Sequence, residues 1–383
     1  VHAREAAPTM LLLLAGFIVV VIILLTVLLC LRYAWLRRWM ARTGQTFAPK
    51  LPPGLGAADV EGLLEARDAQ QAPLMPKAGS AVLWAKGKRN EQADLCVLFI
   101  HGWSASCQEC SPVDERIAEG LGAHLMRFRL PGHGVSPHER GGFSMRDTAT
   151  REALFQDAGT ALALASLLGK RVIVLGCSTG GTLALWLAVQ PWAQPHISGV
   201  LLISAALRLN KPTPQLYVRV RWAHLLLPKA LATPLLNLIV GSVYRIPYRN
   251  ARQAECWTLV YPAAAAINAI GVFVTAETVV DPAAIVAPVL SWHNPGDPTA
   301  NYEYTKQFVA RVPVNRWETV TDSELQHNIT GDIQSPSTVD RIVTQGLEFL
   351  RTNGCDVVPC GPTSVGPEPA VTRRNGASPK KKR

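Results

Sequence analysis

The stretch VIVLGCSTGGTLALWLAV, residues 172–189, constrains this chain more than any other. Val172–Leu175 is a run of aliphatic residues that reads as a buried strand, and Thr182–Val189 continues as an apolar helix. Between them lies only Gly176-Cys177-Ser178-Thr179-Gly180-Gly181, so the backbone must pass from strand to helix through one sharp turn. Gly176 and Gly180 remove side chains where such a turn presses segments together. Ser178 is left at its apex, where the first N–H groups of the following helix point toward developing negative charge. A Gly-x-Ser-x-Gly sequence on a strand–turn–helix has the geometry of a nucleophile elbow; the bland alternative is a Gly-Ser turn that caps a helix.

The surrounding sequence repeats the same logic. Leu95–Ile100, His124–Arg129, Gly199–Ser204, Pro288–Trp292 and Asn315–Val320 read as further strands, with helical patterns at 112–121, 149–168, 180–190, 300–311 and 335–351. Alternation of this kind predicts an α/β fold with a mostly parallel central sheet flanked by helices. It lapses between about Ala205 and Ala287, a stretch of helical composition with several prolines that reads as an inserted helical cap. The predicted organisation is a lead at 1–9, a membrane helix at 10–31, a linker at 32–60, core at 61–204, cap at 205–286, core at 287–352 and a disordered basic tail at 353–383.

The net charge of +10 would ordinarily hint at nucleic acid or membrane. Counting by segment changes that. Residues 1–50 hold six bases and one acid, residues 353–383 six bases and two acids, and residues 51–352 hold 26 bases and 25 acids. The globular part is close to neutral, which removes the argument for nucleic acid. Met10–Leu31 contains no charged residue over 22 positions, long enough as a helix to cross a hydrocarbon core ~30 Å thick. A cleaved leader is the rival reading; against it, the run exceeds the usual ~7–15 apolar residues and no Ala-x-Ala-like site follows. Arg32, Arg37, Arg38 and Arg42 follow the run while Arg4 and Glu5 cancel before it, which places the body on the cytoplasmic side, with Tyr33, Trp35 and Trp39 at the interface.

A serine at an elbow needs a base, an acid to orient it, and donors for an oxyanion. Phe99-Ile100-His101-Gly102-Trp103 ends a strand, so the backbone N–H groups of Trp103 and Thr179 are the expected oxyanion donors, each worth ~3–4 kcal/mol in a transition state. His101 itself reads as a structural residue. Of nine histidines, only His293 and His327 follow the cap, as the order Ser…Asp…His requires. His293 lies inside a strand, where it would pack; His327 lies in a loop after a strand and is the expected base. Asp297 follows the strand that ends near Trp292 and is the expected acid, with Asp322 and Asp332 as rivals closer to His327 in sequence.

HGWSAS at 101–106, RLPGHG at 129–134, GCSTGG at 176–181, NPGD at 294–297 and HNITGD at 327–332 together resemble the lid-bearing α/β-hydrolases of the monoacylglycerol lipase, lysophospholipase and carboxylesterase type, a group that overlaps the serine aminopeptidases. The resemblance implies Ser178, Asp297 and His327 as a triad with a backbone oxyanion hole. It also implies that His133 in Gly132-His133-Gly134 shapes a loop. Trp103 is bulky at the expected hole, and the cap is divergent and Pro-rich. The implied activity is hydrolysis of short- or medium-acyl or monoacyl-lipid esters through an acyl-enzyme on Ser178, without metal or cofactor. Epoxide hydrolases and dehalogenases of this scaffold carry an aspartate where Ser178 stands. A proline-type aminopeptidase would want an acidic pocket, and a catalytically silent scaffold is the non-enzymatic alternative.

Residues 205–254 hold eight bases and no acid. With apolar runs at Leu225–Leu227 and Leu235–Val240, the cap is a second candidate membrane contact or an acyl tunnel; packed leucines and solvated bases are the equal alternative. The basic tail is a further candidate for contact with anionic lipid. Eight cysteines form no clear scaffold, and free thiols suit a cytoplasmic domain; in an oxidising compartment the 107/110 or 355/360 pairs would be the ones to join.

Overall fold

The computed structural model describes residues 2–42, 46–49, 51–71, 73–137, 142–210, 233–234, 237–238 and 241–356. Helix α1 (His2–Ala41) is followed by α2 (Ala57–Ala69) and a short strand β1 (Ala81–Leu83). Next come β2 (Ala93–Ile100), α3 (Val113–Leu121), β3 (His124–Phe128), α4 (Gly142–Asp147) and α5 (Arg151–Leu168). The elbow region supplies β4 (Gly169–Cys177), α6 (Thr179–Ala188) and β5 (Ile197–Ile203). Then follow β6 (Val243–Arg245), α7 (Ala251–Ala254), β7 (Val260–Pro262) and α8 (Ala266–Val279). The body closes with β8 (Val289–His293), α9 (Tyr302–Val309), β9 (Asn315–Thr319) and α10 (Val339–Thr352).

Seven strands form one sheet in the order β1-β3-β2-β4-β5-β8-β9. All neighbours are parallel except β1, which pairs antiparallel with β3. Strand geometry explains why these sequences read as continuous apolar runs. Successive side chains leave a strand on opposite faces, and a sheet covered by helices on both faces needs apolar residues at every position. In β2, Cys96, Leu98 and Ile100 feed one core, while Leu95, Val97 and Phe99 feed the other. β4 divides in the same way, with Val172 and Val174 against Ile173, Leu175 and Cys177. Helices α5, α6 and α8 cover the first face, and α3 and α10 the second. This is the mostly parallel, helix-flanked sheet of an α/β-hydrolase.

The differences from expectation lie outside the parallel sheet. Edge strand β1 has three residues, too few for a periodic signal. The predicted cap of 205–286 is too long at its C-terminal end: Val272 and Ala276 of α8 are buried in the same core as α5 and α6, so this helix covers the sheet. The segment that stands off the sheet contains β6 and β7, an antiparallel pair that the helical composition did not announce. The run Leu225–Leu227 and most of Leu235–Val240 lie outside the described residues, as does the tail from residue 357.

Among the described residues, Leu14–Met40 is long and apolar enough to cross a membrane, by length and composition. The expected linker does not begin where the apolar run ends. α1 continues to Ala41, and its last turns dock on the body: Leu36 and Met40, four residues apart and so on one helical face, are buried. Of the residues expected at a membrane interface, Trp35 is exposed, whereas Trp39 packs on the core. Its ring meets Phe47 edge-on, Phe47 stacks on Phe155, and the Arg151 guanidinium lies 4.1 Å from the Trp39 ring centroid.

Candidate active site

Ser178 sits between the end of β4 and the start of α6 with φ 49° and ψ −113°, a backbone conformation that a non-glycine residue holds only under constraint from its surroundings. The constraint is visible. The Ser178 N–H donates to the Ile203 carbonyl at 2.9 Å, and the Ser178 carbonyl accepts from Ala206 N–H at 3.1 Å. A Cβ on Gly176 would stand 2.5 Å from the Gly180 carbonyl oxygen, and one on Gly180 would overlap the Ile100 carbonyl. Neither position has room for a side chain in this turn.

The structure brings the other expected residues to this serine. His327, in the loop after β9, places Nε2 3.0 Å from Ser178 Oγ and Nδ1 2.7 Å from Asp297 Oδ2. Asp297 lies in the loop after β8. Its Oδ1 accepts from the N–H groups of Thr299 and Ala300 at 2.7 and 2.9 Å, and Oδ2 accepts a second imidazole bond from His293 Nε2 at 2.9 Å. A carboxyl group that only accepts, from four donors, is an ionised one. Burial opposes that charge, but the nearby His327 together with the bonds from His293 and His327 holds Asp297 well below the usual carboxylate range. Of the rivals, Asp322 is bonded to Arg341 on the surface, and Asp332 donates its backbone N–H to Ser111.

His293 is thus more than the packing residue expected from its strand. Its fully buried ring lies against Tyr302 and Trp317, and its Nε2 steadies the same carboxylate oxygen that His327 uses. The four-residue step from His293 to Asp297 around the end of β8 carries that signal in the sequence, but only once the strand's end is known.

Trp103 and Thr179 place their backbone N–H groups on the two segments flanking Ser178, the loop after β2 and the start of α6. Neither N–H has an acceptor among the described residues. His101 is structural, as expected: Nε2 accepts the Leu130 N–H at 2.9 Å and Nδ1 donates to the Gly102 carbonyl at 2.8 Å. That pattern fixes a neutral ring, and burial pushes the His101 pKa well down. His133 donates Nδ1–H to Pro131 and is pushed down to about 4 by burial. Its loop is held by the fully buried Arg129, which donates to the His133 carbonyl at 3.0 Å and pairs with Asp68 at 2.9 Å.

Glu109 was not singled out by any sequence signal. Its buried carboxyl accepts the Gly102 N–H at 2.6 Å and Asn328 Nδ2 at 3.2 Å. Six residues of irregular loop separate it from Gly102, a spacing with no periodic meaning. Glu109, Cys110 and Cys177 set one donor atom each within 4.8 Å of one another. A hydrogen bond with Cys110, reinforced by burial, pushes the Cys177 thiol well up, and burial raises Cys110; protonated thiols are poor metal ligands. The seven described cysteines are free thiols, while Cys360 lies outside the described residues.

Above Ser178 and His327 is a cavity of about 760 Å³, walled by Trp103, Tyr244, Trp257 and Tyr261 and by the 323–328 loop. An aromatic wall over a polar cluster suits a substrate with an apolar part and one reacting carbonyl. Among the described residues, two acidic side chains line this cavity apart from the cluster's own members: Glu109, already bonded, and Glu324, whose carboxylate takes the Ser337 N–H and hydroxyl.

A family model described as Hydrolase_4, serine aminopeptidase, S33, matches residues 91–334. Among solved structures, one reported for the metagenome-derived lipolytic enzymes LipS and LipT is 20% identical, with a TM-score of 0.55 over 74% of this chain and 100% of that one. A soluble variant of monoglyceride lipase from Saccharomyces cerevisiae, in complex with a substrate analogue, is 14% identical, with a TM-score of 0.50 over 72% of this chain and 92% of the other. At these identities the likeness is one of fold. No curated protein matches the chain in sequence.

Proposed function

The chain belongs to the serine aminopeptidase (S33) hydrolase family, and from that premise we propose that it cleaves carboxylic esters through an acyl-enzyme on Ser178. The observation that carries this reading is the unbroken line Asp297–His327–Ser178, at 2.7 and 3.0 Å, beneath an aromatic cavity with two unengaged N–H groups beside the serine. His327 Nε2 takes the Ser178 proton as Oγ attacks the ester carbonyl. The oxyanion that forms is met by the N–H groups of Trp103 and Thr179. His327 returns the proton to the departing alcohol. Water then gives a proton to His327, adds to the acyl carbon, and Ser178 Oγ leaves with that proton as the acid is released.

An ester is favoured over an aminoacyl amide by the charges around the cavity. A peptidase of this kind needs a carboxylate free to receive the substrate ammonium. Glu109 is committed to Gly102 and Asn328, and Glu324 to Ser337. The full chain, purified in detergent, is expected to hydrolyse p-nitrophenyl esters and to leave aminoacyl p-nitroanilides untouched. Activity confined to the anilides would transfer the assignment to the peptidase class.

We read the apolar part of α1 up to Leu31 as a membrane anchor, on the strength of its length, its apolarity and the arginines at 32, 37 and 38 that follow it. The expected result is that the expressed chain stays with the membrane pellet after alkaline carbonate washing and needs detergent for release. Release by carbonate alone would defeat the anchor reading.

A further inference from the structure

We propose that Glu109 is a positioning residue, a buried strut that ties the loop bearing the Trp103 N–H to the loop bearing His327. The inference rests on the hydrolase reading above and adds to it what holds the two sides of the site in register.

The argument begins with the loop after β2. Ser104 has φ 67°, an unfavourable conformation for a residue with a side chain, so this turn must be held from outside. Three restraints do so. His101 grips Leu130 on one side, the Ser104 carbonyl accepts the Thr258 N–H at 2.8 Å from above, and the Gly102 N–H donates to Glu109 Oε2 at 2.6 Å from below. Gly102 is wedged between the serine and the strut: a Cβ added to it would stand 3.0 Å from Ser178 Cβ and 3.0 Å from Glu109 Oε1. The tie at Gly102 therefore sets where the next N–H, that of Trp103, lies relative to Ser178.

The same carboxyl reaches the base. Its Oε1 accepts Asn328 Nδ2 at 3.2 Å, and Asn328 is the residue after His327. The main chain adds to the bond, because a Cβ on Gly331 would come within 2.7 Å of the Glu109 carbonyl oxygen, and the Asp332 N–H donates to Ser111 at 2.8 Å. One side chain thus bridges the segment that carries an oxyanion donor and the segment that carries the proton acceptor. These segments are more than 200 residues apart in the chain (|i−j| is 219 for Glu109 and Asn328), and neither is part of a strand or helix. Small displacements at such a site are costly, since a shift of ~1 Å can remove ~100-fold in rate.

The chemistry of the group suits the place. A Met at this position would fill the volume but accept nothing. Gln would present its amide oxygen to the fixed Gly102 N–H and its amide nitrogen to Asn328, which can turn its own oxygen to meet it. Burial pushes the Glu109 carboxyl up, against the opposing pull of the Gly102 N–H, His327 and Cys177.

The test uses the full chain in detergent and four variants, Glu109→Met, Glu109→Gln, Asn328→Ala and Ser178→Ala. Expected for Glu109→Met is a fall in kcat of about 30-fold with KM changed by less than about threefold, and a matching fall in the rate of Ser178 labelling by a fluorophosphonate. Glu109→Gln should recover kcat to within about fivefold of the parent. Asn328→Ala, which cuts the strut at its far end without disturbing the buried site, should lower kcat about fivefold and add little on top of Glu109→Met. Should Glu109→Met fail to fold, an unchanged kcat in Asn328→Ala overturns the proposal on its own. It is also overturned if Glu109→Met keeps kcat within threefold, or if Glu109→Gln is as impaired as Glu109→Met. Ser178→Ala separates the two levels: a dead serine variant beside a fully active Glu109→Met defeats the strut alone, whereas an active Ser178→Ala defeats the hydrolase reading beneath it.

Discussion

Ser178→Ala is expected to lower kcat/KM for the best ester by about 10⁵-fold, equivalent to ~7 kcal/mol of transition-state stabilisation. No neighbouring group can replace the lost Oγ. Cys177 points to the opposite face of β4, into the core beneath α3 and α10, with its thiol held protonated. What remains is water activated by His327 beside the two N–H donors, a residual contribution of the order of ~10³ over the uncatalysed reaction. The fold should not suffer, because among the described residues the Ser178 Oγ bonds to His327 alone. Steady-state kinetics with fluorophosphonate labelling and a thermal melt check this. Loss of activity within only tenfold, at an unchanged melting temperature, would remove Ser178 from the chemistry.

Asp297→Asn should cost about 10⁴-fold in kcat with little change in KM, for a reason specific to this site. The Thr299 and Ala300 N–H groups are fixed in the backbone and will claim the amide oxygen. The amide nitrogen is then turned toward both imidazoles. His327 can no longer donate from Nδ1 and adopts the tautomer that carries its proton on Nε2, which cannot accept from Ser178. In the parent protein, Asp297 is held below the usual carboxylate range, so it stays ionised across the range in which a histidine titrates. The acid limb of kcat/KM should accordingly fall with a slope of one. A slope of two, or an Asn variant within tenfold of the parent, would show that the carboxylate does not hold the base in its working tautomer.

The legible part of this protein was the part encoded locally. The strand, the turn and the helix around Ser178 are contiguous, so the requirement for Gly176 and Gly180 can be read directly from their positions. His327 and Asp297 follow from chain order and from strand ends, because in a parallel sheet the loops after β4, β8 and β9 all open on one side. What stayed hidden depends on contacts between distant segments. Glu109 and Gly102 meet through a loop without period. His293 looked like a packing residue because strand position alone cannot show that its Nε2 reaches Asp297. α8 was assigned to the cap because an apolar helix covering a sheet and an apolar helix covering a site have the same composition. Its neighbours α5 and α6, rather than its own residues, decide the matter.

The docking of α1 makes residue number equivalent to angle. The helix runs without interruption from its apolar stretch into the turns where Leu36 and Met40 are buried, with Trp39 clamped between Phe47 and Arg151. An α-helix turns ~100° and advances ~1.5 Å per residue. The number of residues between the apolar stretch and Leu36 therefore sets the heading of the entire body about the helix axis. One residue inserted after Leu31 would leave every contact of the body intact and yet swing the mouth above Ser178 through roughly 100° relative to whatever surrounds the apolar stretch.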